Sequence, residues 1–329
     1  MKKTNGTKAL AAAAMGLVLV SGLAGCGGSS DGNANATPTG GNEDTRTQIR
    51  SVTVFGDSLS DVGTYKVATG DPANPGKFTV NPGKVWVENI ADFYGLTLSP
   101  QRSLTMDKDA SYGAVTTVGT ATVLGGNNYA EGGARVVAFP SQSGIGNNML
   151  VAPVTQQVNS YLTTHDKFPA TELVIVDGGG NDTYAQFSAM CWGTDDNQIG
   201  AGNTTLTLAT NAIVDAANAQ VANVRKIAGK GAGAVFILAA SDWSGNPFGQ
   251  YYLSESYQMG SAGGSAGCNT GVRVPASQIT AWTTQFNQIL KAGVANLAGV
   301  VYMDSAANFA DAVANPTRYG LVNVAALSM

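Results

Sequence analysis

In the stretch "SVTVFGDSLSDVGTY" an apolar run from Val52 to Phe55 stops at Gly56, and Ser58 follows two residues later. A serine just past the end of a strand, on a turn made by Gly56 and Asp57, is held at the rim of a sheet, where a nucleophile would be useful. A helix after it would bring backbone N–H groups nearby, which favours negative charge on a bound oxygen. Two further segments could complete such a site. "NNYAEGGARV" puts Gly132 and Gly133 at a tight turn where backbone can approach a ligand closely. "ELVIVDGGGND" ends an apolar run in three glycines, followed by Asn181 and Asp182. The Asn181 amide, a glycine N–H and the Ser58 N–H would give three donors converging on one oxyanion. Losing one such donor typically costs on the order of 100- to 1,000-fold in rate. The proton of Ser58 is the difficulty, because the chain contains a single histidine, His165.

The elements that must position these residues are read from periodicity. Brief, nearly continuous apolar runs predict strands at Ser51–Phe55, Leu173–Asp177, Ala234–Ala239 and Val300–Met303, of the kind that parallel strands covered on both faces require. Asn128–Ala130 is expected to end another short strand. Helical spacing marks Val85 to Tyr94, Val154 to Leu162, Leu206 to Ala228 and Ala276 to Leu297, with Trp282, Phe286, Ile289 and Leu290 on one stripe. Strands alternating with helices imply a three-layer α/β/α sandwich around a central, mainly parallel sheet. In open sheets of this kind the site lies at the carboxyl ends of the strands. One domain is expected over residues 50–329, with no internal repeat.

Composition narrows the function classes. The balance of Lys plus Arg against Asp plus Glu is 18 − 22 = −4, without long like-charge runs, which is not the basic footprint of a nucleic-acid binder. The first 26 residues, "MKKTNGTKALAAAAMGLVLVSGLAGC", have a basic start, an apolar stretch and small residues, the pattern of a secretory signal over 1–25. The segment Leu23-Ala24-Gly25-Cys26 resembles the bacterial lipobox, in which Cys26 becomes the lipid-modified first residue. Gly27 after it resembles the sorting signal for the outer membrane. Residues 26–49 are rich in Gly, Ser and Asn, a composition that works as a flexible tether. The expectation is therefore an exported protein, lipid-anchored to the bacterial cell envelope. Setting Cys26 aside leaves Cys191 and Cys268, which could pair in an oxidising compartment or remain two free thiols. Two isolated cysteines and one histidine do not make a tetrahedral metal site. No nucleotide, metal or other cofactor is expected.

GDSLSD, NYAEGGAR and GGGND, in this order and at strand ends, resemble the first three blocks of the GDSL family of lipases and esterases, the SGNH hydrolases. The resemblance covers roughly residue 50 to the end. It implies a flavodoxin-like α/β/α fold and a serine ester hydrolase. It also implies Ser58 as nucleophile, Gly132 as backbone oxyanion donor with Gly133 as the fallback, and Asn181 as side-chain donor. The substrate would be a small-molecule or lipid ester. An acyltransferase or a sugar deacetylase on the same fold is the alternative within enzymes, and a non-catalytic surface lipoprotein that binds a ligand is the alternative outside them. "GGSAG", Gly263 to Gly267, formally matches the G-x-S-x-G nucleophile elbow, but that motif needs a strand before it and a helix after it. Ser265 follows the polar "YYLSESYQM" and is rejected.

The family's fourth block, Asp-x-x-His near the C-terminus, supplies the base and the residue that orients it. No such block is present in these residues. His165 lies at the end of a helix that precedes the Leu173 strand, which places it on the opposite rim from Ser58. Asp304 ends the Val300 strand, but three positions after it stands Ala307, so Asp304 reads as a cap of the following helix. The chain stops at "YGLVNVAALSM", about where the missing block would follow. The expectation is an incomplete form of an esterase, or else a member that has lost hydrolysis, and in either case a poor catalyst as the chain stands.

Overall fold

The computed structural model describes residues 48–67, 73–79, 83–105, 119–141, 150–192, 204–260, 267–268 and 270–321. The expected signal segment 1–25, Cys26, all but the end of the expected linker 26–49, and Ser265 lie outside the described residues. In chain order the elements are β1 (Ser51–Phe55), α1 (Trp86–Phe93), β2 (Arg102–Leu104), β3 (Ala121–Val123), α2 (Val154–His165), β4 (Glu172–Val176) and α3 (Gly180–Trp192). They continue with α4 (Leu206–Gly229), β5 (Ala234–Leu238), α5 (Pro247–Tyr252), α6 (Glu255–Gln258), α7 (Ala276–Val294), β6 (Val300–Met303) and α8 (Ser305–Ala314).

Four strands form one parallel sheet in the order β1-β4-β5-β6, with Phe55 opposite Val176 and Val176 opposite Ile237. Their alternation decides the layers. Val52, Val54, Leu173 and Ile175 point to one face and pack with Trp86, Val87 and Ala91 of α1. Phe55, Val174, Val176, Val235 and Ile237 point to the other and pack with Val158 of α2, Ile213, Val224 and Ile227 of α4, and Trp282, Phe286 and Leu290 of α7. Both faces of β1, β4 and β5 are thus covered, which is why they read as nearly continuous apolar runs; the edge strand β6 is only partly covered, with Val301 exposed. The sheet is wound in a single direction from β1, so crossovers of one hand put α4 and α7 on the same face. This is the expected α/β/α architecture. All four predicted strands and all four predicted helices are present, with ends that differ by up to three residues.

One expectation needed correction, and two features were not foreseen. Asn128 makes isolated bridges to Val54 and Pro100 and belongs to no strand. A small antiparallel pair, β2 with β3, was not anticipated. The helix α3, directly after the GGGND block, was also missed. Residues 182–191 of α3 are all buried, so it shows no polar stripe and no amphipathic period. Cys191, near the end of α3, is joined by a disulfide to Cys268.

Candidate active site

The turn that carries Ser58 is built by its neighbours. β1 delivers the chain to Gly56, whose N–H donates to Gln157 Oε1 at 2.8 Å. Gln157 Nε2 donates back to the Gly56 carbonyl at 2.9 Å and to the Ala152 carbonyl at 2.8 Å. The side chain that closes this clamp belongs to α2 and is 2% exposed. A side chain at Gly56 would run into the Asp177 carboxylate at the end of β4, so only glycine allows β1 and β4 to end side by side here. Asp57 then continues the turn. Its N–H donates to Asp177 Oδ1 at 3.2 Å, its Oδ1 accepts the Leu59 N–H at 3.0 Å, and its carbonyl accepts the Ser60 N–H at 3.1 Å. Ser60 is fixed in turn by Trp86 Nε1, which donates to its Oγ, and by Asn128 Nδ2, which donates to its carbonyl. Ser58 is left half-buried on top, and neither its hydroxyl nor its N–H has a hydrogen-bond partner among the described residues.

The second motif is tied to the first by Asp61. Its Oδ1 accepts the N–H groups of Gly63 and Thr64, both at 2.8 Å, and its Oδ2 accepts the Gly132 N–H at 2.9 Å. The Gly132 amide, expected to face an oxyanion, is therefore engaged by a buried carboxylate. The next amide, Gly133, sits at φ +86 and has no partner among the described residues. Of the two glycine amides named in the sequence reading, Gly132 is thus the one already engaged and Gly133 the one without a partner among the described residues. The physical reason is local, because the tight turn directs successive N–H groups to different sides and Asp61 takes the first.

The third motif joins the second through Asn181, whose Nδ2 donates to the Ala134 carbonyl at 2.9 Å. That bond uses one amide hydrogen and leaves the other. Before it, Gly178 and Gly179 take φ +140 and +107, and a side chain at Gly179 would meet the Phe286 ring of α7. The glycine run lets the chain turn at once from β4 into α3, placing Asn181 at the carboxyl end of β4, next to the end of β1. Asp182 accepts the Val136 N–H at 3.0 Å, and its Oδ1 lies 3.6 Å from Arg135 Nε. Glu131 pairs with Arg102 at 3.0 Å and accepts the Ala152 N–H at 2.8 Å. Asp57, Asp61, Glu131, Arg135 and Asp182 are all motif letters in the sequence; Asp61, Arg135 and Asp182 fasten blocks to one another, Asp57 shapes its own turn, and Glu131 ties its block to Arg102 and Ala152. Gln157 lies outside the motifs and nothing in its sequence context marks it.

These fasteners make an acid-rich floor. Burial pushes Asp57 up to about 6, with the carboxylates of Asp182 and Asp61 adding to the shift. Asp177 is raised well above the ordinary carboxylate range by burial and by Asp57. Burial also raises Asp61 to about 6, against three N–H donors that favour its charged form. Glu131 is pushed up to about 8 by burial, which outweighs the Arg102 guanidinium beside it.

His165 is elsewhere. It is the last residue of α2, stacks on the Tyr161 ring at 4.3 Å, and sets Nδ1 3.1 Å from the Tyr161 carbonyl. Together with Arg50, Ser51 and Glu172 it lines a cavity at the amino ends of β1 and β4, the opposite rim from Ser58. Asp304 accepts the Ala307 N–H at 3.2 Å and caps α8, as its spacing implied. Among the described residues no group of three or more metal-ligating side chains comes together, and no helix is long and apolar enough to cross a membrane.

No curated protein matches the chain. The sequence model of the GDSL-like lipase/acylhydrolase family, in contrast, matches residues 52–323, well over half of it. That span runs from β1 past α8 and contains all three fastened blocks. The chain therefore belongs to the GDSL-like lipase/acylhydrolase family of hydrolases.

Proposed function

We propose that the protein hydrolyses carboxylic esters through a Ser58 acyl-enzyme. Ser58 Oγ attacks the ester carbonyl carbon, and the C–O bond to the alcohol breaks as the alcohol leaves with a proton. Water then attacks the acyl carbon, releasing the acid and restoring the Ser58 hydroxyl. The oxyanion in each step would accept hydrogen bonds from the Ser58 N–H, the Gly133 N–H and the remaining Asn181 amide hydrogen. The observation that carries this reading is that all three donors are unengaged among the described residues while the groups around them are fastened: Gly132 to Asp61, Ala134 to Asn181, Gly56 to Gln157. Donors held in place before the reaction are what stabilises a developing charge.

The chain as it stands is proposed to be a slow catalyst. Its one histidine stands on the opposite rim, and a serine without a neighbouring base is a weak nucleophile. Removing the histidine of a serine-protease triad costs about 10⁶ in turnover, and roughly 10³–10⁴ over water survives through the oxyanion hole and binding. The test is reaction of the folded chain with a fluorophosphonate, with Ser58→Ala as control. Slow labelling confined to Ser58, accelerated by added imidazole, is expected. Equal labelling of both proteins would overturn Ser58 as nucleophile, and fast Ser58-specific labelling without imidazole would overturn the assigned impairment. We further propose that Cys26 carries a lipid anchor to the cell envelope; metabolic incorporation of radiolabelled palmitate that persists in Cys26→Ser would sink this.

A further inference from the structure

The cavity on the rim opposite Ser58 has the construction of a ligand site, although nothing in ester hydrolysis requires it. It has a volume of 720 Å³ and opens between the amino ends of β1 and β4, the last turn of α2 and the loop after β3. Its floor is Glu172, which is 4% exposed and accepts hydrogen bonds from Thr53 Oγ1 and, at 2.9 Å, from the Tyr161 hydroxyl. No cation pairs with Glu172 among the described residues. A carboxylate still has room for further donors after accepting two hydrogen bonds. One wall is Tyr129, which is 6% exposed and whose hydroxyl has no hydrogen-bond partner among the described residues. A second wall is a ladder of rings. Phe168 stacks on Tyr161 at 4.3 Å and 5°, and Tyr161 stacks on His165 at 4.3 Å and 19°. The outer ring, His165, is exposed, so the ladder ends in a flat face beside the polar floor. Arg50, exposed, stands at the edge as a donor.

We infer that this cavity binds a neutral carbohydrate, one hexose-sized ring at a time. The chemistry of the lining selects among ligand classes. Glu172 accepts, Arg50 donates and the Tyr129 hydroxyl does either, and the hydroxyl groups of a sugar answer all three at once. A flat ring face beside a few placed polar groups suits the alternating apolar and polar surfaces of a pyranose. A phosphate or sulfate would meet the Glu172 charge with Arg50 as the one cation of the lining, and an acyl chain would leave Glu172 and the Tyr129 hydroxyl desolvated and unsatisfied. An organic cation would satisfy Glu172 but would be opposed by Arg50.

The experiment is saturation-transfer NMR on the folded chain with methyl glucoside, methyl galactoside and N-acetylglucosamine, each at about 10 mM, suited to millimolar binding. Tetramethylammonium and inorganic phosphate serve as competitors. Transfer to the ring protons of at least one sugar is expected. Tyr129→Phe, which removes one oxygen and no packing, should weaken binding about five- to tenfold. His165→Ala, at an exposed position, should remove the transfer to the stacked face. Fluorophosphonate labelling of Ser58 should be unchanged in both variants, since the two rims are separate. No transfer to any sugar, transfer insensitive to both variants, or displacement of the sugar by tetramethylammonium or phosphate would each overturn the assignment.

Discussion

Replacing Gln157 with leucine isolates what holds the nucleophile turn. Leucine is close to glutamine in size, so the change removes hydrogen bonds and opens little space. Gln157 serves three backbone groups: the Gly56 N–H, the Gly56 carbonyl and the Ala152 carbonyl. The Gly56 carbonyl keeps a partner, because the Glu131 N–H also donates to it at 3.1 Å. Two buried groups, the Gly56 N–H and the Ala152 carbonyl, are orphaned. Each orphan costs about 1–3 kcal/mol, so the variant should lose about 2–6 kcal/mol of stability. For a domain of this size that corresponds to a fall in Tm of roughly 5–20 °C. Urea unfolding followed by tryptophan fluorescence, with the disulfide intact, measures the loss. Gln156→Leu, one position earlier at an exposed site of the same helix, controls for helix propensity and should change stability by under about 0.5 kcal/mol. A Gln157→Leu loss no larger than that of the control would refute the clamp, and with it the view that Ser58 is positioned from α2.

The buried acids set a pH dependence. Asp57 and Asp61 are raised from 3.8 to about 6 by burial, so the stability linked to them is fully present below about pH 4 and is lost as pH rises through 6. For Asp61, a rise from 3.8 to about 6 corresponds to about 3 kcal/mol. Thermal melts should therefore show Tm falling from pH 4 to pH 7, with a shallower fall in Asp61→Asn; a Tm that climbs across this range would contradict the reading. The Cys191–Cys268 bond closes a segment with a sequence separation of 77, for which chain entropy gives about 4 kcal/mol. Double replacement by serine should lower the unfolding free energy by that order, and an unchanged urea midpoint would count against it. Gly179→Ala places a side chain at φ +107 against the Phe286 ring. It should destabilise by about 1–3 kcal/mol and slow Ser58 labelling through displacement of Asn181; labelling at the wild-type rate would show that Asn181 keeps its place.

Periodicity alone was enough to recover β1, β4 and β5, because strands covered on both faces are apolar nearly throughout; the edge strand β6 also reads as an apolar run, although none of its residues is fully buried and Val301 is exposed. Periodicity also recovered α1, α2, α4 and α7, because helices with one wet face carry a stripe. It failed for α3, which is buried all round and so has no stripe, and for the short β2–β3 pair, whose β3 is fully exposed. The three motif blocks, singled out by their resemblance to the family's, are joined in the fold through Asp61 with Gly132, Asn181 with Ala134 and Arg135 with Asp182. They could not say which glycine amide stays free. Gly132 and Gly133 are equivalent in the sequence, and only the approach of the Asp61 carboxylate, 71 residues away, engages one and leaves the other. Gln157 is 101 residues from Gly56, and no local pattern in the chain could connect the two. The lone histidine's place on the wrong rim was legible, because a residue before a parallel strand lies at that strand's amino end. That it stacks on Tyr161 beside the buried Glu172 depends on strand register and helix packing, which bring together residues far apart in the chain.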